Sequence, residues 1–264
     1  MNDFDPGSRW TPLDQADGLR RLFAASAKRF LPLVANPHVA FGGIAIERLT
    51  AALALLGHHT LIVDAADGSP AAPEAAALDL DLCIEPLAPQ VSYLPARGLP
   101  LRHVDTRGSS ARLLDALATA APQADVVIVH AEASDLARLF TRRAARPMLL
   151  AADHPESVKH AYAALKLLAL RCGWLTSDLL LVAPPQAPRV PPIATSLARC
   201  ADHFLGATVT AWAAIDPAAQ PTDLPSAELC RIAAAQLQLD DDPMPAGPPV
   251  PPAARAAAAA LACH

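Results

Sequence analysis

Apolar runs of four to seven residues alternate with amphipathic stretches along most of this chain. The first periodic stretch, TPLDQADGLRRLFAASAKRF over residues 11–30, places Leu13, Ala16, Leu19, Leu22 and Phe23 on one face of a helix, with the charges opposite. Gly18 in its middle costs about 1 kcal/mol relative to alanine, so this helix leans on other structure for stability. FLPLVA, from residue 30, predicts a short buried strand. IAIERLTAALALLG then predicts a helix ended by Gly57, and HTLIVD a second strand. Residues 65–98 show no clear period and read as loop with short helical pieces. LPLRHVD (99–105) predicts a strand, and SSARLLDALATAAP a helix with Ser109 or Ser110 as N-cap. ADVVIVH is an unbroken β-branched run, as expected of a strand buried on both faces. Helix SDLARLFTRRA, strand PMLLAA, helix PESVKHAYAALKLLALRCG, strand DLLLVA, helix TSLARCADHFLG, strand ATVTAWAAI and helix SAELCRIAAAQLQL follow.

Strands and helices alternating at this spacing predict an α/β fold, a doubly wound and mostly parallel sheet flanked by helices. The chain divides into an N-terminal helical segment (1–30), one α/β domain (31–238) and a Pro/Ala-rich tail (239–264) expected to be at least partly disordered.

Hydrophobic residues reach 53% while aromatics are only 4%, so alanine carries much of the core and helical content is favoured over bulk. A net charge of −5 speaks against a broad nucleic-acid footprint, which needs clustered lysine and arginine. The five cysteines (Cys83, Cys172, Cys200, Cys230, Cys263) form no CxxC pair or zinc spacing, which fits buried thiols in a reducing cytoplasm. The N-terminus is polar and acidic, unlike a secretory signal, and Lys166 and Arg171 break the longest apolar stretch. Among nine histidines, His38, His130 and His154 could converge at the carboxyl edge of the sheet. No acidic partner is evident for them, so packed or surface histidines are favoured over a metal site. Gly42–Gly43 ahead of a helix leave an anion site at its N-terminus as a lesser reading.

The segment LLAADHPESVKHAYAALKLLAL, then DLLLVA and LARCADHFLGATVTAWAAIDP, is similar to the C-terminal half of the FlhG/FleN proteins, MinD-like regulators of flagellar number in the MinD/ParA class of P-loop ATPases. DQADGLRRL resembles that family's DQAxxLR motif, which sits on a helix ahead of the ATPase domain. The likeness spans residues 13–237 and implies a MinD/SIMIBI-like domain with an N-terminal activator helix. It further implies that this helix binds FlhF, a GTPase of the signal-recognition-particle type, and stimulates its GTP hydrolysis. Asp14, Gln15, Ala16, Leu19 and Arg20 match the motif. On that analogy Gln15 orients the attacking water, Leu19 anchors the helix and Arg20 contacts a phosphate or carboxylate.

The family's own ATP machinery is not matched. At the KGGVGKT position this chain reads PHVAFGG: Pro37 replaces the signature lysine, Gly42 the P-loop lysine and Gly43 the Mg²⁺-binding hydroxyl. Asp64 matches the first aspartate of the switch-I strand, but His130 stands at the Walker-B aspartate, and Ala183-Pro184 stand where an adenine-reading asparagine is common. The resemblance therefore implies a non-enzymatic protein with no cofactor, monomeric on its own. Its partners would be an FlhF-type GTPase and flagellar basal-body or regulatory proteins, and it would be cytoplasmic, recruited to the cell pole or inner membrane through a partner. The tail AARAAAAALACH lacks the apolar face and basic charge of a membrane-binding helix. A weak ATP-binding MinD-like switch, and a MinD-like scaffold in another secretion or polysaccharide-export assembly, are the alternatives.

Overall fold

The structure, a computed structural model, describes residues 28–238. The activator positions Asp14, Gln15, Ala16, Leu19 and Arg20, and the tail from residue 239, lie outside the described residues.

Eight strands form one sheet: β1 (Arg29–Val34), β2 (Thr60–Asp64), β3 (Glu85–Ala88), β4 (Val91–Pro95), β5 (Val126–Ala131), β6 (Met148–Ala152), β7 (Thr176–Val182) and β8 (Thr208–Ile215). Their spatial order is β3-β4-β2-β5-β1-β6-β7-β8, and every pairing is parallel except β3 with β4. The helices are α1 (Gly42–Leu55), α2 (Leu99–Arg102), α3 (Ala111–Ala120), α4 (Ala133–Leu139), α5 (Pro155–Cys172), α6 (Val190–Leu205) and α7 (Ala227–Leu237). None of the described helices is long and apolar enough to cross a membrane.

The apolar faces divide between two layers. Leu49 and Leu53 of α1 and Leu229 and Ile232 of α7 cover one face of the sheet. Leu117 of α3, Leu136 of α4, Leu165 of α5 and Leu197 of α6 cover the other. β5 lies between them with all six residues buried, which is why it runs apolar from Val126 to Val129 before His130 at its carboxyl end.

Three expectations are corrected. Residues 29–30 belong to β1, so a helix over residues 11–30 does not reach that far. Residues 99–105 are no strand: Gly98 turns the chain at φ +79°, and Pro100, with its preset φ and no N–H to satisfy, opens the short helix α2. The stretch read as loop instead holds two strands, β3 and β4, the second paired with β2 from Thr60↔Val91 to Asp64↔Pro95. Ser110 occupies the N-cap of α3, but its Oγ donates to the Pro100 carbonyl (2.7 Å), while Ser109 Oγ accepts from the Ala111 amide (3.2 Å).

Candidate functional site

The carboxyl ends of β1, β2 and β5 meet the start of α1, the place where a doubly wound sheet opens a crevice. The loop from β1 to α1, residues 35–41, is held by one buried side chain. Asn36 Nδ2 donates to the Leu150 carbonyl (2.8 Å), the Ser157 carbonyl (2.9 Å) and Ser157 Oγ (3.1 Å), and its Oδ1 accepts from the His38 amide (3.1 Å). These bonds tie the loop to β6 and α5, so its path is set by groups more than a hundred residues away.

Strands β2 and β5 are neighbours in the register Asp64↔His130. That register sets the two side chains together: His130 Nδ1 lies 2.7 Å from Asp64 Oδ1. The same carboxylate accepts from Ser69 Oγ (2.5 Å) and from the Tyr93 hydroxyl of β4 (3.2 Å). Burial works to raise the Asp64 carboxyl, yet the bonds from His130, Ser69 and Tyr93 outweigh it and hold it below the usual carboxylate range. Tyr93 is pushed up to about 12, by burial and then by the Asp64 charge. Glu132, two residues past His130, is raised by burial and by Asp67. His160 is lowered by burial and by His38, whose ring meets it edge-on at 5.8 Å.

A cleft of about 680 Å³ opens over these groups. Pro37, Gly42, Gly43, Asp64 and His130, the five degenerate nucleotide-site positions read from the sequence, all line it. It also takes in the carboxylates of Asp67 and Glu132, and no lysine or arginine is among its lining residues. Gly42 and Gly43 are the first two residues of α1. A Cβ on Gly42 would meet nothing nearer than Leu150 Cδ1 at 4.0 Å, and one on Gly43 would meet open space, so neither glycine is demanded by a close approach of the protein to itself. The α1 N-cap, Phe41, makes no side-chain cap bond.

The histidines do not converge as one cluster. His130 has an acidic partner after all, Asp64, which the sequence reading did not supply. His38 packs on His160, and His154 stands at the N-cap position of α5 with no side-chain cap bond. Among the described residues no group of three or more His, Cys, Asp or Glu side chains is arranged to hold a metal ion. Asn36, Ser69, Tyr93, Glu132 and His160 were missed. Tyr93 could have been found only by recognising β4 as the neighbour of β2.

Because the folded state lowers the Asp64 carboxyl, its contribution to stability is present above the ordinary aspartate value of 3.8 and is lost as pH falls through the lower folded value. Asp64→Asn is expected to flatten the acid limb of stability below about pH 4. Urea midpoints measured from neutral to acid pH test this, and an unchanged acid limb would contradict the network.

No protein-family profile matches the chain, and no curated protein matches it in sequence. Solved structures do match in shape. The MinC:MinD cell division complex of Aquifex aeolicus aligns over 83% of this chain and 98% of its own, at 10% identity and a TM-score of 0.57. A ParA family ATPase from Chlorobium tepidum aligns over 79% and 98%, at 16% identity and a TM-score of 0.53. The fold is that of MinD and ParA. Cobyrinic acid a,c-diamide synthase from Mycobacterium smegmatis, solved with bound ADP and magnesium, shares it over 84% of this chain and 100% of its own, at 15% identity and a TM-score of 0.53. In the MinD/ParA fold of this chain, the β1–α1 loop with Asp64 and His130 occupies the crevice at the carboxyl ends of the strands.

Proposed function

We propose that this protein is a MinD-like regulator that neither binds nor hydrolyses ATP and acts on a partner through its N-terminal segment. One observation carries the first half: the cleft at the head of α1 presents Asp64, Asp67 and Glu132 and no lysine or arginine. A triphosphate brings up to four negative charges. In P-loop proteins a lysine and Mg²⁺ neutralise them, with a Ser or Thr hydroxyl on the metal. Here Gly42 and Gly43 carry no such groups, and Asp64, Asp67 and Glu132 line the cleft instead. Helix-end amides alone offer a far weaker field than a lysine with a metal ion. His130, already bonded to Asp64, replaces a carboxylate that would bind Mg²⁺ through water.

Calorimetry with millimolar Mg-ATP is expected to give no binding heat, and turnover should not exceed a blank. Light scattering should report a mass unchanged by ATP. Micromolar affinity, or an ATP-dependent doubling of mass, would overturn the reading and favour a MinD-like switch.

The second half rests on the likeness of DQADGLRRL to the DQAxxLR motif. In this reading Asp14, Gln15, Ala16, Leu19 and Arg20 engage an FlhF-type GTPase and stimulate its hydrolysis, placing the protein in the control of flagellar placement or number. The domain serves as the carrier of that segment and as a contact surface for basal-body or regulatory proteins. Steady-state GTP hydrolysis by the cognate FlhF, with and without the full chain, is the direct test.

A further inference from the structure

The sheet ends in two unlike edges, β3 and β8. β3 is four residues long, carries Glu85 and Pro86, and shifts register between Pro86 and Ala88. Each of these features blunts an edge against further pairing. β8 is eight residues long, TVTAWAAI, with no charge and no proline. Among the described residues no strand pairs with its outer side. Its pairing with β7 is irregular near Thr210, but Ala211–Ile215 run in unbroken register with Asp178–Val182.

The Ala183 amide donates to the Ile215 carbonyl (3.0 Å), so Ile215, Ala213 and Ala211 turn their backbone groups to β7. By the alternation of the strand, Trp212 and Ala214 turn theirs outward. The Trp212 residue is itself 38% exposed, a large apolar group on an open edge. A hollow of about 500 Å³ beside this edge is lined by Thr210 and Trp212 of β8 and by Glu228, Arg231 and Ala235 of α7. The acid and the base of α7 therefore overlook the edge, and α7 carries no other charge.

We propose that β8 pairs antiparallel with β8 of a second copy of this chain, about a two-fold axis at Ala213. This register sets Trp212 of one copy opposite Ala214 of the other, so the outward residues exchange their backbone hydrogen bonds reciprocally. Asp216, the next acid along the chain, falls opposite the uncharged Thr210. The same axis lays α7 against its own reverse. Glu228 and Arg231 stand one turn apart with opposite sign, so Glu228 of each copy meets Arg231 of the other. β8 spans about 26 Å, and with α6 and α7 flanking it the footprint is on the order of 600 Å² per copy, at the small end for a specific interface. Because the axis returns the edge to itself and β3 is blunted, association stops at two copies. The pairing needs no nucleotide and uses no residue that lines the cleft, so it stands apart from the function proposed above. It replaces the single-chain state that the family resemblance implies.

Sedimentation equilibrium of the full chain without nucleotide, up to about 100 µM, reads the self-association, and a two-chain mass is expected at the top of that range. Trp212→Lys puts a charge on the edge and should raise the dissociation constant at least about tenfold. Arg231→Glu sets acid against acid across the axis and should raise it about tenfold. Glu228→Arg/Arg231→Glu reverses both signs, keeps their complementarity and should return the constant toward that of the wild type. All three side chains are exposed, so the fold should tolerate these changes. Four results would overturn the proposal: a one-chain mass throughout, which leaves the edge for a foreign strand; a two-chain mass that Trp212→Lys does not weaken, which puts the interface elsewhere; a charge exchange that associates no better than Arg231→Glu alone; or masses that grow beyond two chains.

Discussion

Arg146→Ala is expected to lower the unfolding free energy by about 3–5 kcal/mol at neutral pH, a large part of what a domain of this size holds in reserve. Arg146 Nε lies 3.0 Å from Asp178 Oδ2, and the Asp178 side chain is 1% exposed. Gln236 of α7 completes the cluster, its Nε2 donating to Asp178 Oδ2 (2.9 Å) and to the Arg146 carbonyl (3.0 Å). The cluster binds α7 to β7 at the amino end of the sheet. Removing the guanidinium leaves a carboxylate out of water with the Gln236 amide and the Ala211 backbone as its neutral partners, and the loss comes from that stranded charge more than from the pair itself. Burial already lifts the Asp178 carboxyl above its ordinary value of 3.8, and Arg146 and Gln236 pull it part of the way back. A carboxyl raised in the folded state contributes stability at low pH that is lost as pH rises through its folded value. Without Arg146 that value rises further. The penalty should therefore be full at neutral pH and shrink in acid, where Asp178 takes up a proton. Asp178→Asn in the Arg146→Ala background should recover most of the loss. Urea unfolding at several pH values measures all of this; a loss under about 1 kcal/mol, or one independent of pH, would contradict it.

Gln15→Ala in the full chain is expected to cut the stimulation of FlhF-type GTP hydrolysis on the order of a hundredfold, the usual cost of losing one well-placed polar group in a transition state. Binding should stay within about tenfold, because a water-orienting amide acts mainly in the transition state. Leu19→Ala should do the reverse. Burying a leucine contributes about 1.5–3 kcal/mol, so its loss should weaken affinity while leaving the rate at saturation nearly unchanged. Titrating FlhF with each variant separates the two effects. Stimulation by Gln15→Ala equal to that of the wild type would remove the activator role, and it would leave the nucleotide argument untouched.

The sequence by itself determined the alternation of strand and helix, and with it the doubly wound sheet. β5 was legible because a strand covered on both faces runs apolar along most of its length, here Val126 to Val129, and α5 because Pro155 and Gly173 punctuate its ends. It also set the residue types at the site: with glycine at 42 and 43 and histidine at 130, these three positions themselves offer neither an amine nor a carboxylate. β4 was not legible. VSYLP is short, only half-buried and closed by a proline, while the neighbouring LPLRHVD carries a stronger apolar pattern that Gly98 and Pro100 turn into a helix. Tertiary structure alone decided the site. Asp64 and His130 are 66 residues apart and meet because β2 and β5 are adjacent in one register; a slip of one residue would turn His130 to the other face of the sheet. Asn36 looks like an ordinary loop residue until β6 and α5 bring it two carbonyls and a hydroxyl. Periodicity reports which face of an element is buried. Which elements become neighbours depends on the whole sheet closing its core at once, and that places the polar groups at its edge.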